Sequence, residues 1–315
     1  MTYDLILPSR ENISGVRRLL VSLSLTDLTG LKKVFVVLNP PNQKIADQIR
    51  SEFTKLSGLE ILQSDHVGVN TARNLGAEKS HSEVLFFLDD DEAINDPAFF
   101  KKHIKIHSEN PALMVLGGVY ELVYPTGLWS QAYHQIQMKW LISGEALDAS
   151  NHHLLGGHLS VKRQIFENFK FDNAIRFGGA ETEFLLRLKR ANILCQLDLS
   201  LSVLHFHNLS ISSFLRKAFM QGSTHRKYSF QELNNLKRRI LPNYRSDLPQ
   251  NKAQLFAQKL YFLAFNIGRN SIETPRAPKW SISALKIYLQ RQILWFILKI
   301  DFLAKKAEKS RPPDT

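Results

Sequence analysis

The junction at residues 84–92 constrains this chain more than any other stretch. Val84-Leu85-Phe86-Phe87-Leu88 is an unbroken run of β-branched, aromatic and aliphatic residues, the pattern of a central strand covered by helices on both faces. Asp89-Asp90-Asp91-Glu92 follows at once. Four carboxylates cannot be buried unpaired in a low-dielectric interior, so the cluster faces water or a cation. In open α/β sheets, ligands bind in the crevice beyond the carboxyl ends of the strands, which is where this cluster falls. There Asp89 and Asp91 would supply oxygens to Mg2+ or Mn2+, ions that keep coordination positions open for substrate phosphates. The alternative is a solvated acidic turn that favours the dipole of a following helix opened by Asp96 and Pro97.

Strand and helix signals alternate around the junction. Residues 3–7 read as a first strand ending in Pro8-Ser9-Arg10, and Ser14 is a candidate N-cap for a helix with Val16, Leu19, Leu20 and Leu23 on its apolar face. Residues 34–38 form a second buried run, broken by Asn39-Pro40-Pro41, then comes a polar helix through Gln48 and a short strand at 59–62. From Gly68 the chain reads as a short helix and a turn that lead into the junction. Beyond it come a helix near 97–107, an apolar segment at 113–116 ending in Gly117-Gly118, and a Trp- and Tyr-rich region from 120 to 140. A strand is expected at 156–161, a helix at 181–191, a short strand at 201–204 closed by His205-Phe206-His207, and helices from Ser212 onward. Such alternation implies a mostly parallel sheet with right-handed crossovers, which gathers Ser9, Asn39 and Asp89 to Asp91 on one edge.

Charge divides the chain. Residues 1–207 carry 21 Lys and Arg against 23 Asp and Glu, a net −2, whereas 208–315 carry 20 against 6, a net +14. A basic appendage on a near-neutral body suits an anionic partner, a membrane surface or a nucleic acid. The single cysteine, Cys195, excludes an internal disulfide, fits a reducing compartment and reads as a small core residue. No signal peptide and no bilayer-length apolar stretch is visible, so a cytoplasmic protein is expected, peripheral at the membrane if the tail binds lipid.

Four segments together resemble the family 2 glycosyltransferases of the GT-A fold, inverting enzymes that use nucleotide-sugar donors. The likeness covers about residues 3–226. VNTARNLGAEKSHSEVLFFLDDDE is similar to the family's Ala-Arg-Asn-x-Gly helix, strand and Asp-x-Asp metal motif. GGHLSVKRQIFENFKFDNAIRFGGAETEFLLRL resembles the acceptor-side block, and LHFHNLSISSFLRKAFMQG the late His with its basic helix and Gly. The opening strand with Pro8 is the fourth and weakest of these segments. The sequence departs from the pattern twice. Asn39 stands where the family usually has a base-recognising Asp, and, with Arg187 as anchor, the Glu-Asp motif falls on Ala180 and Glu181.

The resemblance implies a GT-A catalytic domain over residues 1–226, with a donor half to about 118 and an acceptor half from 119, followed by a basic helical extension at 227–315. It places Pro8, Ser9, Arg10, Asn39, Arg73, Asn74, Asp89 and Asp90 around the nucleotide-sugar donor, a UDP-sugar. Asp89, Asp91 and either His205 or His207 would hold Mn2+ or Mg2+, His205 matching the family position better. Glu181 is the expected catalytic base, with Glu183 as its rival. His158, where many relatives have Asn, is a candidate core histidine. The expected acceptor is a saccharide or lipid-linked saccharide. Residues 280–306 interleave Trp, Phe, Ile and Leu with Lys and Arg, which suits an anionic membrane interface or, alternatively, packing and homo-oligomer contacts. Two other readings compete. A nucleotidyltransferase would carry a Gly-rich phosphate loop after the first strand, and LPSRENISG has none. Nucleic acid is not expected as a partner, because the acidic crevice repels phosphate without a divalent ion.

Overall fold

The computed structural model describes residues 1–123, 127–145, 154–175, 179–225 and 251–270. The chain opens with β1 (Tyr3–Ser9), α1 (Ile13–Leu23), β2 (Leu31–Leu38), α2 (Gln43–Glu52), β3 (Leu59–Gln63), α3 (Val69–Lys79) and β4 (Val84–Leu88). It continues through β5 (Glu92–Ala93), α4 (Phe99–Glu109), β6 (Leu113–Leu122), α5 (Leu128–Glu145), β7 (His158–Lys162) and a 3-10 turn at Arg163–Glu167. α6 (Ala180–Arg190), β8 (Leu194–His205), α7 (Ile211–His225) and α8 (Lys252–Asn270) complete the described elements.

One eight-stranded sheet has the order β3-β2-β1-β4-β7-β6-β8-β5. The first four strands run parallel, and β7 pairs antiparallel between β4 and β6. β8 runs parallel to β6, and the two-residue β5 adds antiparallel to its end. The parallel-dominated GT-A sheet is thus present, with β7 and β5 reversed.

The unbroken apolar run of β4 serves both faces of the sheet, since successive side chains point in opposite directions. Phe86 packs edge-on to Tyr3 and Phe100, with ring centroids 5.2 and 4.9 Å away, under α4. Phe87 meets Phe166 and Phe171 at 5.6 and 5.5 Å on the other face, where Phe184 of α6 joins them. α3 lies on that second face, and Gly76 allows the approach: a Cβ there would come within 2.5 Å of Ile6.

Between α4 and the sheet runs a buried polar chain. His158 Nδ1 lies 3.2 Å from the Val119 carbonyl and His158 Nε2 lies 3.3 Å from His103 Nε2. Ser160 Oγ then bridges His103 Nδ1 at 2.8 Å and His107 Nε2 at 2.9 Å. All four residues are essentially inaccessible to solvent. His158 is therefore a core residue, as is Cys195, whose thiol burial pushes up to about 12.

Several element ends differ from the sequence-based expectation. The N-cap of α1 is Asn12, whose side chain accepts from Gly15 N–H, and Ser14 lies inside the first turn. The strand expected at 201–204 is the end of the longer β8, and β6 continues through Gly117 and Gly118 instead of stopping there. The compact unit runs from Met1 to Ile272 and includes α8, which packs on α5 and α7. No helix among the described residues is long and apolar enough to cross a membrane. Residues 280–306 lie outside the described residues.

Candidate active site

Three strand ends meet at the carboxyl edge of the sheet. β4 delivers Asp89 to Asp91, β5 delivers Glu92, and β8 delivers His205 opposite Glu92 through antiparallel pairing. The Phe206 N–H donates to the Asp91 carbonyl at 2.7 Å, locking the two segments together. Asp91 Oδ2 lies 3.4 Å from His205 Nε2. Two overlapping triads result, Asp89-Asp91-Glu92 and Asp91-His205-His207, each with its ligand atoms within 4.8 Å of one another.

Each carboxylate is held differently. Asp89 Oδ1 accepts from Arg73 at 2.7 Å, an ion pair whose guanidinium is 3% exposed. Asp90 accepts from Ser9 Oγ at 2.6 Å, and its carbonyl accepts from Asn12 at 3.0 Å. Burial, helped by Asp91 and Asp89, raises the Asp90 carboxyl to about 6 despite the Ser9 bond. Burial also pushes Asp91 upward, but His205, Lys217 and His207 outweigh it and hold the group well below the usual carboxylate range. Glu92 is fully buried. Its burial and the charges of Asp89 and Asp91 raise its pKa strongly; one of its oxygens accepts the Asp89 N–H at 3.0 Å and the other has no hydrogen-bond partner.

Gly157 closes the floor of this cluster. A Cβ there would lie 2.4 Å from Glu92 Oε1, 2.6 Å from Asp89 Oδ2 and 2.6 Å from the Tyr120 hydroxyl. Gly156 likewise makes room for Arg73, whose guanidinium would be 3.0 Å from an added Cβ. The Gly-Gly pair before β7 thus exists for close approach of charged side chains.

Lys217 of α7 reaches the same edge. Its ammonium lies 3.2 Å from His207 Nε2 and 4.9 Å from the centre of the Tyr133 ring. Burial lowers its pKa, and Asp91, Asp89 and Glu181 act against that shift. Glu181 stands in the first turn of α6, behind a left-handed Gly179. Its pKa is raised by burial and by Asp89, while Arg73 and Lys217 counter the rise. Glu183 is engaged elsewhere: Arg187 grips both of its oxygens at 2.5 and 2.8 Å.

Of the residues singled out from the sequence, Ser9, Arg73, Asp89, Asp90, Asp91, His205, His207 and Glu181 converge here. Pro8 closes β1 opposite Val37, and Arg10 is exposed just beyond it. Asn39 is buried beside Ser9, but its amide is bonded to the His66 carbonyl and to the Gly68 N–H at 2.8 Å. Asn74 clamps the Phe171 backbone, donating at 2.8 Å and accepting at 3.0 Å, and Asn70 donates to the Asp172 carbonyl at 2.8 Å. This face of α3 therefore fixes the segment that leads toward α6. Glu92, Tyr120, Gly157 and Lys217 were not singled out for the site. Gly157 had a signal in its Gly-Gly dipeptide, whereas nothing in the sequence separates Lys217 from its exposed neighbour Arg216.

The donor set fits a hard divalent ion. Carboxylate oxygens dominate, an unpaired Glu92 oxygen and an unpaired His205 Nδ1 remain buried beside them, and imidazole is acceptable to Mn2+ but a poor ligand for Mg2+. Comparison with known proteins agrees in kind. The sequence model of Glycosyl transferase family 2 matches residues 4–169. No curated protein sequence matches the chain. Among solved structures, a mannosyltransferase from Pyrobaculum calidifontis in complex with GDP-Man and Mn2+ is similar with a TM-score of 0.57 at 11% identity, over 97% of this chain and 86% of that one. S. aureus TarS gives 0.51 at 15% identity over 86% and 81%. GalNAc-T7 with UDP, GalNAc and Mn2+ gives 0.51 at 15% identity over 76% and 54%. At such identities the structural likeness is one of fold.

Proposed function

The chain belongs to glycosyl transferase family 2, and on that premise we propose that it is an inverting, metal-assisted enzyme moving a sugar from a nucleotide-sugar donor to a hydroxyl acceptor. UDP is the nucleotide to test first, and a glycan or a lipid-linked saccharide the acceptor. The observation that carries the reading is the pair of triads that share Asp91, Asp89-Asp91-Glu92 and Asp91-His205-His207, each of coordination size, with Glu181 close enough to respond to Asp89 and Arg73. Structures of this fold captured with GDP-Man or UDP, each with Mn2+, support the same class of ligand.

Asp89, Asp91 and His205 would hold Mn2+ or Mg2+, with Glu92 and His207 in reach. A bound ion supplies neutralisation of the charge that develops on a departing diphosphate. Arg73 pairs with Asp89 and orients its carboxylate. Lys217 adds a positive charge at the same edge, where a leaving diphosphate would also meet it. Glu181 takes the proton of the acceptor hydroxyl as that oxygen attacks the anomeric carbon. The bond from that carbon to the diphosphate oxygen breaks, and the nucleoside diphosphate leaves with the electron pair. One displacement inverts the anomeric centre. The raised pKa of Glu181 makes its carboxylate a stronger base than a solvated one, and Arg73 favours its ionised form.

A panel of UDP- and GDP-sugars, scored for thermal stabilisation and donor hydrolysis with and without Mn2+, tests the reading. Stabilisation by at least one donor that requires the ion is expected. No response to any nucleotide sugar would refute it.

A further inference from the structure

α8 carries an apolar face that nothing in the described structure covers. Among the described residues, eight large hydrophobic side chains are exposed, and three of them lie on this helix: Leu255 (44%), Phe256 (57%) and Phe262 (42%). They recur with exposed Lys252 and Lys259 at spacings of three and four, so they form one stripe along the helix. The stripe is not slack. The opposite face is bolted down by Gln254 to Gln131 at 3.0 Å, Gln258 to Gln135 at 2.8 Å and Lys139 to Gln258 at 3.0 Å, all between α5 and α8. Two glycines interlock α7 with α8: a Cβ on Gly222 would sit 1.9 Å from the Phe265 carbonyl, and one on Gly268 would sit 2.0 Å from the Phe219 carbonyl. Those contacts fix the rotation of α8 about its own axis and aim the phenylalanines outward.

We propose that this stripe is a docking surface for an anionic lipid bilayer. Charge selects the occupant. α8 has Lys252, Lys259 and Arg269 and no acidic residue, and the chain on either side is basic too, with net +4 over residues 226–250 and +5 over 271–315. A second copy paired face to face would set lysine against lysine, and a basic flanking segment would meet the same repulsion. A negatively charged interface accepts the phenylalanines among its acyl chains and the lysines among its headgroups. The helix is held to α7, which bears Lys217, so the stripe and the candidate site belong to one packed unit. The inference stands whichever nucleotide sugar is used, and its test measures lipid binding alone.

The full chain is floated with vesicles of phosphatidylcholine, or of phosphatidylcholine mixed with phosphatidylglycerol, and compared with a Phe256→Glu/Phe262→Glu double variant. The wild type should float with the anionic vesicles and lose that binding as salt is raised, and the double variant should bind about tenfold more weakly or worse at an unchanged melting temperature. A second measurement keeps Leu255 and Phe262 and adds no charge: Phe256→Cys carries an environment-sensitive fluorophore, attached selectively because Cys195 is buried and its thiol pushed up to about 12. Its emission should shift to the blue on anionic vesicles. A wild type that does not float, a double variant that floats like the wild type, a fluorophore that does not respond, or a wild-type dimer that the double variant converts to monomer would each overturn the proposal.

Discussion

Glu181 and Glu183 stand two residues apart on α6 and are given different tasks by their neighbours. Glu183 is chelated by Arg187, a side-chain pair one helical turn apart. Its replacement in Glu183→Gln should cost roughly 0.5 kcal/mol of stability and leave turnover within a few-fold of wild type. Among the described residues Glu181 has no such partner, and its pKa is raised by burial. Glu181→Gln should keep nucleotide binding and lose about 10²–10⁴-fold in turnover, measured as released nucleoside diphosphate. The opposite pattern in the two variants would move the base to Glu183. Gly157 offers a second residue-scale test, because its added methyl would collide with Glu92, Asp89 and Tyr120 at once. Gly157→Ala should abolish the Mn2+ dependence of nucleotide-induced thermal stabilisation. A wild-type response would mean that the carboxylate cluster tolerates rearrangement and is not the ion site.

The helix–sheet interface carries a pH dependence of its own. Burial lowers His107 and His158 to about 4 and lowers His103 as well, with the neighbouring histidines adding to the last shift. The unfolded chain binds protons at these histidines near 6.5, so between 6.5 and 4 it holds more of them than the folded chain. Stability at this interface is therefore complete above about 6.5 and is lost as pH falls towards 4. The raised Glu92 and Asp90 act in the opposite sense, so the contrast with a variant isolates the histidines. His158→Asn should flatten the fall of melting temperature between pH 6.5 and 4.5, and an unchanged slope would remove the histidine chain from the account. Elements differ in how plainly the sequence announces them. β2 and β4 were legible because a strand buried on both faces needs an unbroken apolar run. β8 was only half legible: its burial alternates and its middle, Asp198-Leu199-Ser200, is polar or exposed, which hides a single strand behind what looks like a turn. The reversal of β7 was not legible, since strand direction depends on crossovers and not on composition.

At the scale of the whole molecule, the carboxylate edge was readable because Asp89 to Glu92 directly follow the apolar run of β4, and adjacency in sequence became adjacency in space. The residues that complete it come from distant elements. Lys217 and Tyr120 reach the site only because α7 and β6 are folded against β4 and β8, and the sequence does not encode that proximity locally. α3 joins the two halves, with Arg73 holding Asp89 and Asn70 and Asn74 holding the 171–175 segment, so the carboxylate cluster and the approach to Glu181 share one rigid support. α8 is bolted to α5 and α7, which ties part of the basic third of the chain to the catalytic body. The central claim is that nucleotide binding runs through an ion held by Asp91. Calorimetric titration of UDP and GDP into the wild type and Asp91→Ala, each with and without Mn2+, tests it most directly. The wild type should bind at least one nucleotide in a way that requires Mn2+ and disappears in Asp91→Ala, while the melting temperature of the ligand-free variant stays near or above that of the wild type. Equal binding with and without the ion, or an unimpaired Asp91→Ala, would contradict it.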